Sequence, residues 1–332
     1  FSQGAAMAIV FMAYTNIKDP SEHFNTVLYT GDGSADQSMT GVGFKPDFLW
    51  IKRRNASERH VLTNVQMGAS SGAYKWLDSS DTSAEFSGGT GVASFDSDGF
   101  TIKTSDSTWN TNSSTYVFWS WKLNGGTTAT NSDGSTDTTV QANTTSGVSV
   151  VTFTTDGGNE TYGHGLGVKP DIVIVKSRSG GGSWIYMTDV IDGSVDYLLL
   201  NGTNAAADLS YGAFTSSTFQ YNDNNAVTQI AYCFAEKQGY SKFGKYVGNG
   251  SSNGTFVYTG FAPAWVMIKD TSQATNWEIF DVKRNPSNVR NLKLGANLAV
   301  AENGSDLGTT SQNNIDILSN GFKMRTGNTD TN

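Results

Sequence analysis

The sequence predicts an all-β protein built from three tandem antiparallel β-sandwich repeat domains of a jelly-roll or lectin-like kind. Short segments rich in Val, Ile, Tyr, Phe and Trp alternate with turns rich in Gly, Asn, Asp and Ser. No segment keeps the 3.6-residue period of a helix for more than about two turns. One residue pattern also recurs three times along the 332 residues. Short strands of this kind are expected to pack as face-to-face antiparallel sheets.

The repeat is easiest to see around a proline that precedes an apolar run. The three copies are GVGFKPDFLWIK at 41–52, GLGVKPDIVIVK at 165–176 and TGFAPAWVMIK at 259–269. A Gly-x-Gly beside a lysine also begins some phosphate-binding loops. Here a strand-like run follows the proline, with no helix after it, so the glycines predict a turn.

Further residues recur at matching distances from each proline. They are Lys52, Lys176 and Lys269, then Leu77, Leu200 and Leu294, then the acids Glu85, Asp208 and Glu302. An aromatic strand closes the first copy at 115–122 and the second at 228–236. Large apolar residues at alternate positions of this strand predict one face over a core.

The repeats divide the chain into five parts. They are an N-terminal arm at 1–23 with a strand-like segment at 6–15, a first repeat at 24–122, a polar Gly/Thr/Asn-rich linker at 123–147, a second repeat at 148–240 and a third at 241–332. The third repeat has no closing strand.

Two explanations of this missing strand stay open. The N-terminal segment, with Ile9, Val10 and Phe11 at its centre, can complete the third repeat in the same chain or in a neighbour, as donated strands do. Alternatively, the last strand is simply absent from these residues.

Composition excludes several function classes. Only 16% of residues are charged and the net charge is −8, which argues against nucleic-acid binding, since that needs a basic face. The apolar run at 5–14 is about half the length that spans a bilayer, so no membrane insertion is expected. The single cysteine, Cys233, excludes an intramolecular disulfide and favours synthesis in a bacterial cytoplasm.

No catalytic residue, metal site or cofactor is predicted. His60 takes the place of Trp184 and Trp277 in the other copies, which favours a structural role. The DSDG stretch at 96–99 lacks the remainder of a calcium-binding loop and predicts a hairpin turn. The repeated acids occur once per repeat, whereas hydrolysis of a glycoside needs a facing pair.

Aromatic residues found in only one copy are the candidates for ligand binding. Trp109 and Trp76 have no counterpart in the other copies, and exposed aromatic rings can stack on sugars. The alternative is that each tryptophan packs against a neighbouring repeat or subunit.

The stretches YTGDGS, GVGFKPDFLWIKRRN, FDSDGFTI and TYVFWSWK, with AYTNIKDPSEHF at 13–24, resemble a repeat of virion structural proteins from tailed bacteriophages, notably those of marine and cyanobacterial hosts. The resemblance implies a tail or fibre appendage or a capsid-surface protein, and it implies no catalytic residues. We therefore predict a non-enzymatic structural protein of the extracellular phage particle, which forms a homo-oligomer and docks to other virion proteins. The alternative is a carbohydrate-binding adhesin that recognises host-surface glycans.

Overall fold

The computed structural model describes residues 15–223, 225–307, 314–328 and 330–332. The described regular structure consists of short strands and three single-turn 3-10 helices, at Pro20–Glu22, Val65–Met67 and Ser305–Leu307. The strands pair antiparallel, as in the ladder of residues 24–30 with 115–121. This confirms the all-β class with antiparallel sheets. In the described parts of the chain, no helix is long and apolar enough to cross a membrane.

The first sheet group contains ten strands. They are β1 Phe24–Thr30, β2 Gln37–Met39, β3 Phe48–Arg53, β4 His60–Asn64, β5 Ala69–Ser70, β6 Ala73–Tyr74, β7 Leu77–Asp78, β8 Val92–Asp96, β9 Gly99–Ile102 and β10 Thr115–Trp121. A five-stranded sheet has the order β1-β10-β3-β4-β7, a three-stranded sheet has the order β2-β9-β8, and β5 pairs with β6.

The second sheet group also contains ten strands. They are β11 Ala129–Asn131, β12 Thr138–Asn143, β13 Val148–Thr154, β14 Asn159–Gly163, β15 Ile172–Ser177, β16 Ile185–Thr188, β17 Asp196–Leu199, β18 Ala207–Asp208, β19 Thr218–Asn222 and β20 Thr228–Phe234. Its large sheet has the order β11-β12-β13-β20-β15-β16-β17-β18, and β14 pairs with β19.

The third sheet group has six described strands. They are β21 Phe256–Tyr258, β22 Trp265–Ile268, β23 Glu278–Asp281, β24 Leu294–Gly295, β25 Ile315–Leu318 and β26 Gly321–Met324. They form two three-stranded sheets, in the orders β22-β23-β24 and β21-β26-β25.

The segment at 123–147 corrects the prediction of a polar linker, because β11 and β12 lie within it and extend the large sheet of the second group. Val140 of β12 pairs with Val151, and the buried Gln141 donates from Nε2 to the Asp47 carboxylate at 2.8 Å. The Thr138 hydroxyl, also buried, donates to the Gly163 carbonyl at 2.9 Å. Threonine favours strands, so a polar composition concealed a paired strand.

Each sheet group has its own core between its two sheets. In the first group, Leu49, Ile51 and Phe118 of the large sheet pack against Met39 and Phe100 of the small one. The corresponding residues of the third group include Val266, Ile268 and Phe322. Alternate residues of one strand therefore face this core, as the period of two requires.

The opposite faces of the principal sheets form a second core that all three groups share, which we call the central core. Trp50 and Trp119 from the first group, Ile174 and Tyr232 from the second and Ile279 from the third belong to one continuous cluster. Because both faces of strands such as β3 and β15 are buried, their sequences are almost uninterrupted apolar runs.

The glycine loop before β3 binds an anion of its own chain. Gly41 and Gly43 adopt φ angles of 87° and 83°, and their N–H groups donate to the Asp98 carboxylate at 3.1 and 2.6 Å. These hydrogen bonds lower the pKa of Asp98. The Gly-x-Gly at 41–43 and the acid of the DSDG turn at 96–99 thus stabilise each other's conformation.

Candidate functional site

The first and second sheet groups meet through one of the repeated acids. The Glu85 N–H donates to the Arg178 carbonyl at 2.9 Å, and Arg178 Nε donates to the Glu85 carboxylate at 2.7 Å. Lys75 bonds the other carboxylate oxygen at 2.8 Å. Glu85 therefore joins two groups, and Arg178 stands two residues after the repeated Lys176.

The first and third groups meet through the equivalent residues. The Glu302 N–H donates to the Arg54 carbonyl at 2.8 Å, and the Arg54 guanidinium bonds both carboxylate oxygens of Glu302, at 3.2 and 2.8 Å. Arg284, whose side chain is fully buried, also bonds Glu302 at 2.8 Å and forms an ion pair with Asp281. The Trp119 Nε1 donates to Asp281 at 3.2 Å.

The second and third groups make a similar backbone contact without an arginine, from a residue two positions before the repeated acid Asp208. The Ala206 N–H donates to the Thr271 carbonyl at 2.8 Å, and Thr271 stands where Arg54 and Arg178 stand in the other copies. The three boundaries therefore close head to tail within one chain, and the third boundary has lost its guanidinium.

Aromatic nitrogens repeat the same cyclic pattern in the central core. Trp184 Nε1 donates to the Asp78 carbonyl at 2.7 Å, and Trp277 Nε1 donates to the Leu199 carbonyl at 2.9 Å. His60 holds the equivalent position and accepts at Nδ1 from Trp50 Nε1 at 2.9 Å. Its Nε2 faces the backbone of the third group without a hydrogen bond of normal geometry. Burial above all, then nearby cations, holds the pKa of His60 well below its usual value.

Two other reactive side chains are equally enclosed. His164 accepts from the Leu166 N–H at 3.1 Å and contacts the Thr215 carbonyl at 3.3 Å. Burial raises the pKa of the Cys233 thiol to about 12. Both nitrogens of the buried His164 ring are engaged, so this ring is poorly suited to proton transfer. The Cys233 thiol stays protonated and is therefore a poor nucleophile.

The tryptophans predicted to stack on glycans lie in the first sandwich core, so this prediction was wrong. Trp109 is 0% exposed and Trp76 is 6% exposed. Their rings meet edge to face at 5.8 Å, and Trp76 stacks on Phe86 at 4.1 Å. The Tyr29 hydroxyl donates to the Trp109 carbonyl at 2.7 Å, which fixes the loop over its own sheet. Each of these tryptophans, present in one copy only, is an additional residue of the hydrophobic core.

An open sheet edge is the main irregularity of the third group. Strand β10 lies beside β3 with Trp119 opposite Trp50, and β20 lies beside β15 with Tyr232 opposite Ile174. The corresponding strand β22 pairs with β23 on one side, and no strand of the described residues occupies its other side. The sequence analysis predicts a third repeat without a closing strand.

The open edge borders a cavity of about 1160 Å³, which we call the open groove. Its lining includes Trp121, Tyr232, Phe243, Trp265 and Met267. This volume exceeds the ~300–1,000 Å³ of most small-molecule sites. Sequence reasoning did not foresee that the missing strand would leave such a space in the central core.

Polar groups of the β22 edge point into the open groove. The Val282 N–H donates to the Ala264 carbonyl at 3.0 Å. Since backbone groups of successive residues point to opposite sides of a strand, those of Trp265 and Met267 point to the open side. The Trp265 Nε1 is buried and has no hydrogen-bond partner among the described residues. The open groove can therefore accept a β-strand through both backbone pairing and apolar packing.

Three carboxylates in the second group lie close enough to hold a metal ion. Oxygens of Asp192, Asp196 and Asp208 all lie within 4.8 Å of one another. The sequence analysis predicted no metal site, because these residues are separated by intervals that match no familiar motif. The pairing of β17 with β18 brings them together.

Comparison with known proteins assigns the chain to a family. Residues 19–332 match the family described as a domain of unknown function, DUF7483. The chain belongs to this family. Neither the curated proteins nor the solved structures gave a match. The segment at 6–15 lies outside the family match, and its residues 6–14, with Ile9, Val10 and Phe11, lie outside the described residues.

Proposed function

We propose that this DUF7483 protein is a non-enzymatic structural component of a tailed-phage particle, located in a tail, fibre or capsid surface. The observation that carries the proposal is the closed ring of three sheet groups around the central core. Arg54 and Arg178 form ion pairs across two of its boundaries, and Arg284 forms an ion pair with Asp281 within the third group beside one of them. Charged and polar residues that an enzyme would place in a cleft are used here to fix a rigid building block. The resemblance to virion repeats supports the same role.

Location in the particle is the decisive test of this function. Immunogold labelling of intact particles should mark one fixed feature, and mass spectrometry of purified particles should find the protein at a constant copy number. Size-exclusion chromatography with light scattering should show a defined homo-oligomer. Absence of the protein from purified particles that contain the other structural proteins would contradict the proposal.

We also propose that residues 7–12 of the same chain fill the open groove and close the third sheet group. The sequence MAIVFM at 7–12 matches the pattern of IAYCFA at 230–235 in β20, with large apolar residues at alternate positions. The register of β20 on β15 places Tyr232 opposite Ile174. The same register, if the segment adopts it, would place Ile9 opposite Met267 and Phe11 opposite Trp265.

The connection between this segment and the described chain is long enough for such a closure. Residues 19–21 line the open groove themselves. A chain extends by about 3.3–3.6 Å per residue, so the residues from Met12 to Asp19 span up to about 25 Å. A segment tethered this closely has a high effective concentration at the groove and is favoured over the same segment from another molecule.

Engineered disulfides test the proposed register. The pair Ile9→Cys with Met267→Cys should form an intramolecular disulfide at low protein concentration, detected by peptide mapping. The matched control pair Val10→Cys with Met267→Cys should not form one, because in the proposed register Val10 would face the opposite side of the strand. The native Cys233 is buried and contributes little background. Disulfide-linked dimers would assign the groove to a neighbouring copy, and no disulfide would assign it to a strand from elsewhere.

A carbohydrate-binding adhesin is the second candidate, and one exposed aromatic favours it. Tyr258 on the edge strand β21 is 62% exposed and lines the open groove. An exposed ring beside polar loops can stack on a sugar. A glycan array that gives binding to the intact protein and none to Tyr258→Ala would support this role. The absence of any hit would leave the structural role alone.

A further inference from the structure

The acidic cluster at Asp192, Asp196 and Asp208 occupies a boundary where the repeat has lost a cation. Counted from the repeated leucine, Asp208 corresponds to Glu85 and Glu302. Glu85 has both Lys75 and Arg178 as partners, and Glu302 has two arginines. Asp208 has instead two further carboxylates as near neighbours.

The neighbouring position shows the same reversal of charge. Asp196 corresponds to Arg290 in the third copy and to Ala73 in the first. In the second group, Asp196 of β17 lies directly opposite Asp208 of β18. Like charges directly opposite each other on paired strands destabilise a sheet. The second group therefore concentrates negative charge where the others balance it.

Asp196 provides a second and independent observation. It is only 4% exposed, and its Oδ2 atom accepts no hydrogen bond from an N–H or O–H group of the described residues. Its one side-chain partner is Asp208, another acid of the same cluster. A buried carboxylate oxygen without a donor carries a large desolvation cost. The charged neighbour Lys245 acts on Asp192 and not on Asp196.

We propose that Asp192, Asp196 and Asp208 form a binding site for one Ca²⁺ ion, which replaces the missing guanidinium at this boundary. The donor set is entirely carboxylate oxygen, which suits Ca²⁺ and Mg²⁺ rather than softer metals. Oxygens on opposite sides of a Ca²⁺ ion, each about 2.4 Å from it, are separated by about 4.8 Å. The ligand oxygens of the cluster lie within 4.8 Å of one another, a spacing compatible with either ion. The flexible coordination of Ca²⁺ suits a partly exposed site better than the near-ideal octahedron that Mg²⁺ requires.

The surroundings of the cluster are compatible with the remaining coordination. Asp192 accepts hydrogen bonds from Ser194 at Oδ1 only, which leaves Oδ2 for a metal. Asp192 and Asp208 are exposed, so water can supply further ligands. Three carboxylates and an open side resemble the weak calcium sites of extracellular modules, with dissociation constants of about 10⁻⁴–10⁻³ M. Such a site would be filled outside the cell and largely empty in a bacterial cytoplasm.

Calorimetric titration with CaCl₂ and thermal melts in CaCl₂, MgCl₂ or EDTA test the site on the intact chain. We expect one Ca²⁺ per chain and a melting temperature raised by roughly 2–4 °C at 100 times the dissociation constant. NaCl at matched ionic strength and MgCl₂ should give smaller shifts. Asp196→Asn should abolish the calcium response. The exposed acid Asp137, changed to Asn, serves as the matched control and should retain that response.

The Asp196→Asn variant is expected to fold, because the substitution removes a buried charge. In EDTA, Asp196→Asn should be at least as stable as the wild type, so loss of the calcium effect will not reflect misfolding. An equal calcium response in Asp196→Asn and the wild type overturns the proposal. The absence of any response at 10 mM CaCl₂ overturns it as well and indicates that the carboxylates share a proton.

Discussion

Arg284 supports the sharpest prediction, since its removal leaves a buried charge at the boundary of the first and third groups. Its side chain and that of Asp281 are both 0% exposed. Arg284→Met keeps much of the apolar volume but leaves Asp281 without its cation. Removing one partner of a buried ion pair costs about 3–5 kcal/mol. With an unfolding entropy of about 2.1 cal/mol/K per residue over 332 residues, the melting temperature should fall by about 4–7 °C.

Differential scanning calorimetry at neutral pH is the appropriate assay, with Arg325→Met as the matched control. Arg325 pairs with Asp316 at 3.3 Å and is 38% exposed, so its loss should cost at most about 1 kcal/mol. The double variant Arg284→Met with Asp281→Leu should regain at least half of the lost stability, because no unpaired charge remains. If Arg284→Met melts within 1 °C of Arg325→Met, the boundary network does not stabilise the ring as argued.

Three further variants test other parts of the structure. Burial above all lowers the pKa of Lys52 to about 7; the unfolded state therefore binds more protons between pH 7 and 9.5, and stability should rise with pH by up to about 1.4 kcal/mol per unit. In urea titrations at both pH values, Lys52→Met should reduce that rise, and an unchanged slope would exclude Lys52 as its source. Trp109→Ala should lower stability by about 3–5 kcal/mol in the same assay and leave any glycan-array signal as in the wild type; selective loss of that signal would refute its core role. Glu85→Gln should cost about 1–3 kcal/mol, since Arg178 loses a charged partner, whereas Asp208→Asn in EDTA should cost nothing; equal losses would contradict the assigned difference between the boundaries.

Local sequence patterns were sufficient to predict many of the strands. The alternation of large and small residues in 115–121 and 228–234 predicts strands with a large apolar face, and Trp119 and Tyr232 do face the central core. Period-two patterning is a property of neighbouring residues, so it can be recognised without knowing their partners. The identity of the shared core could not be predicted, because the faces that form it belong to sheets far apart in sequence.

The repeated acids show where sequence reasoning stopped. Their recurrence once per copy indicated a structural role, but Glu85 finds Arg178 across 93 positions, and only closure of the ring brings them together. The prediction that Trp109 binds a glycan was wrong for a related reason. A residue unique to one copy is equally consistent with a surface site and with additional core, and only the path of its loop distinguishes them.

The departures from threefold repetition collect around the third sheet group. In a closed ring of three equal units, each contact of one boundary is matched at the next, and such a ring needs nothing from outside. Here one boundary has Thr271 in place of an arginine, and within the described residues one strand, β22, has an unpaired edge. Each departure leaves a specific deficit, positive charge in one case and a strand in the other. A cation and an apolar β-strand are the respective complements. These two places, rather than the conserved pattern of the repeat, are therefore where the chain can sense its surroundings or be completed during assembly.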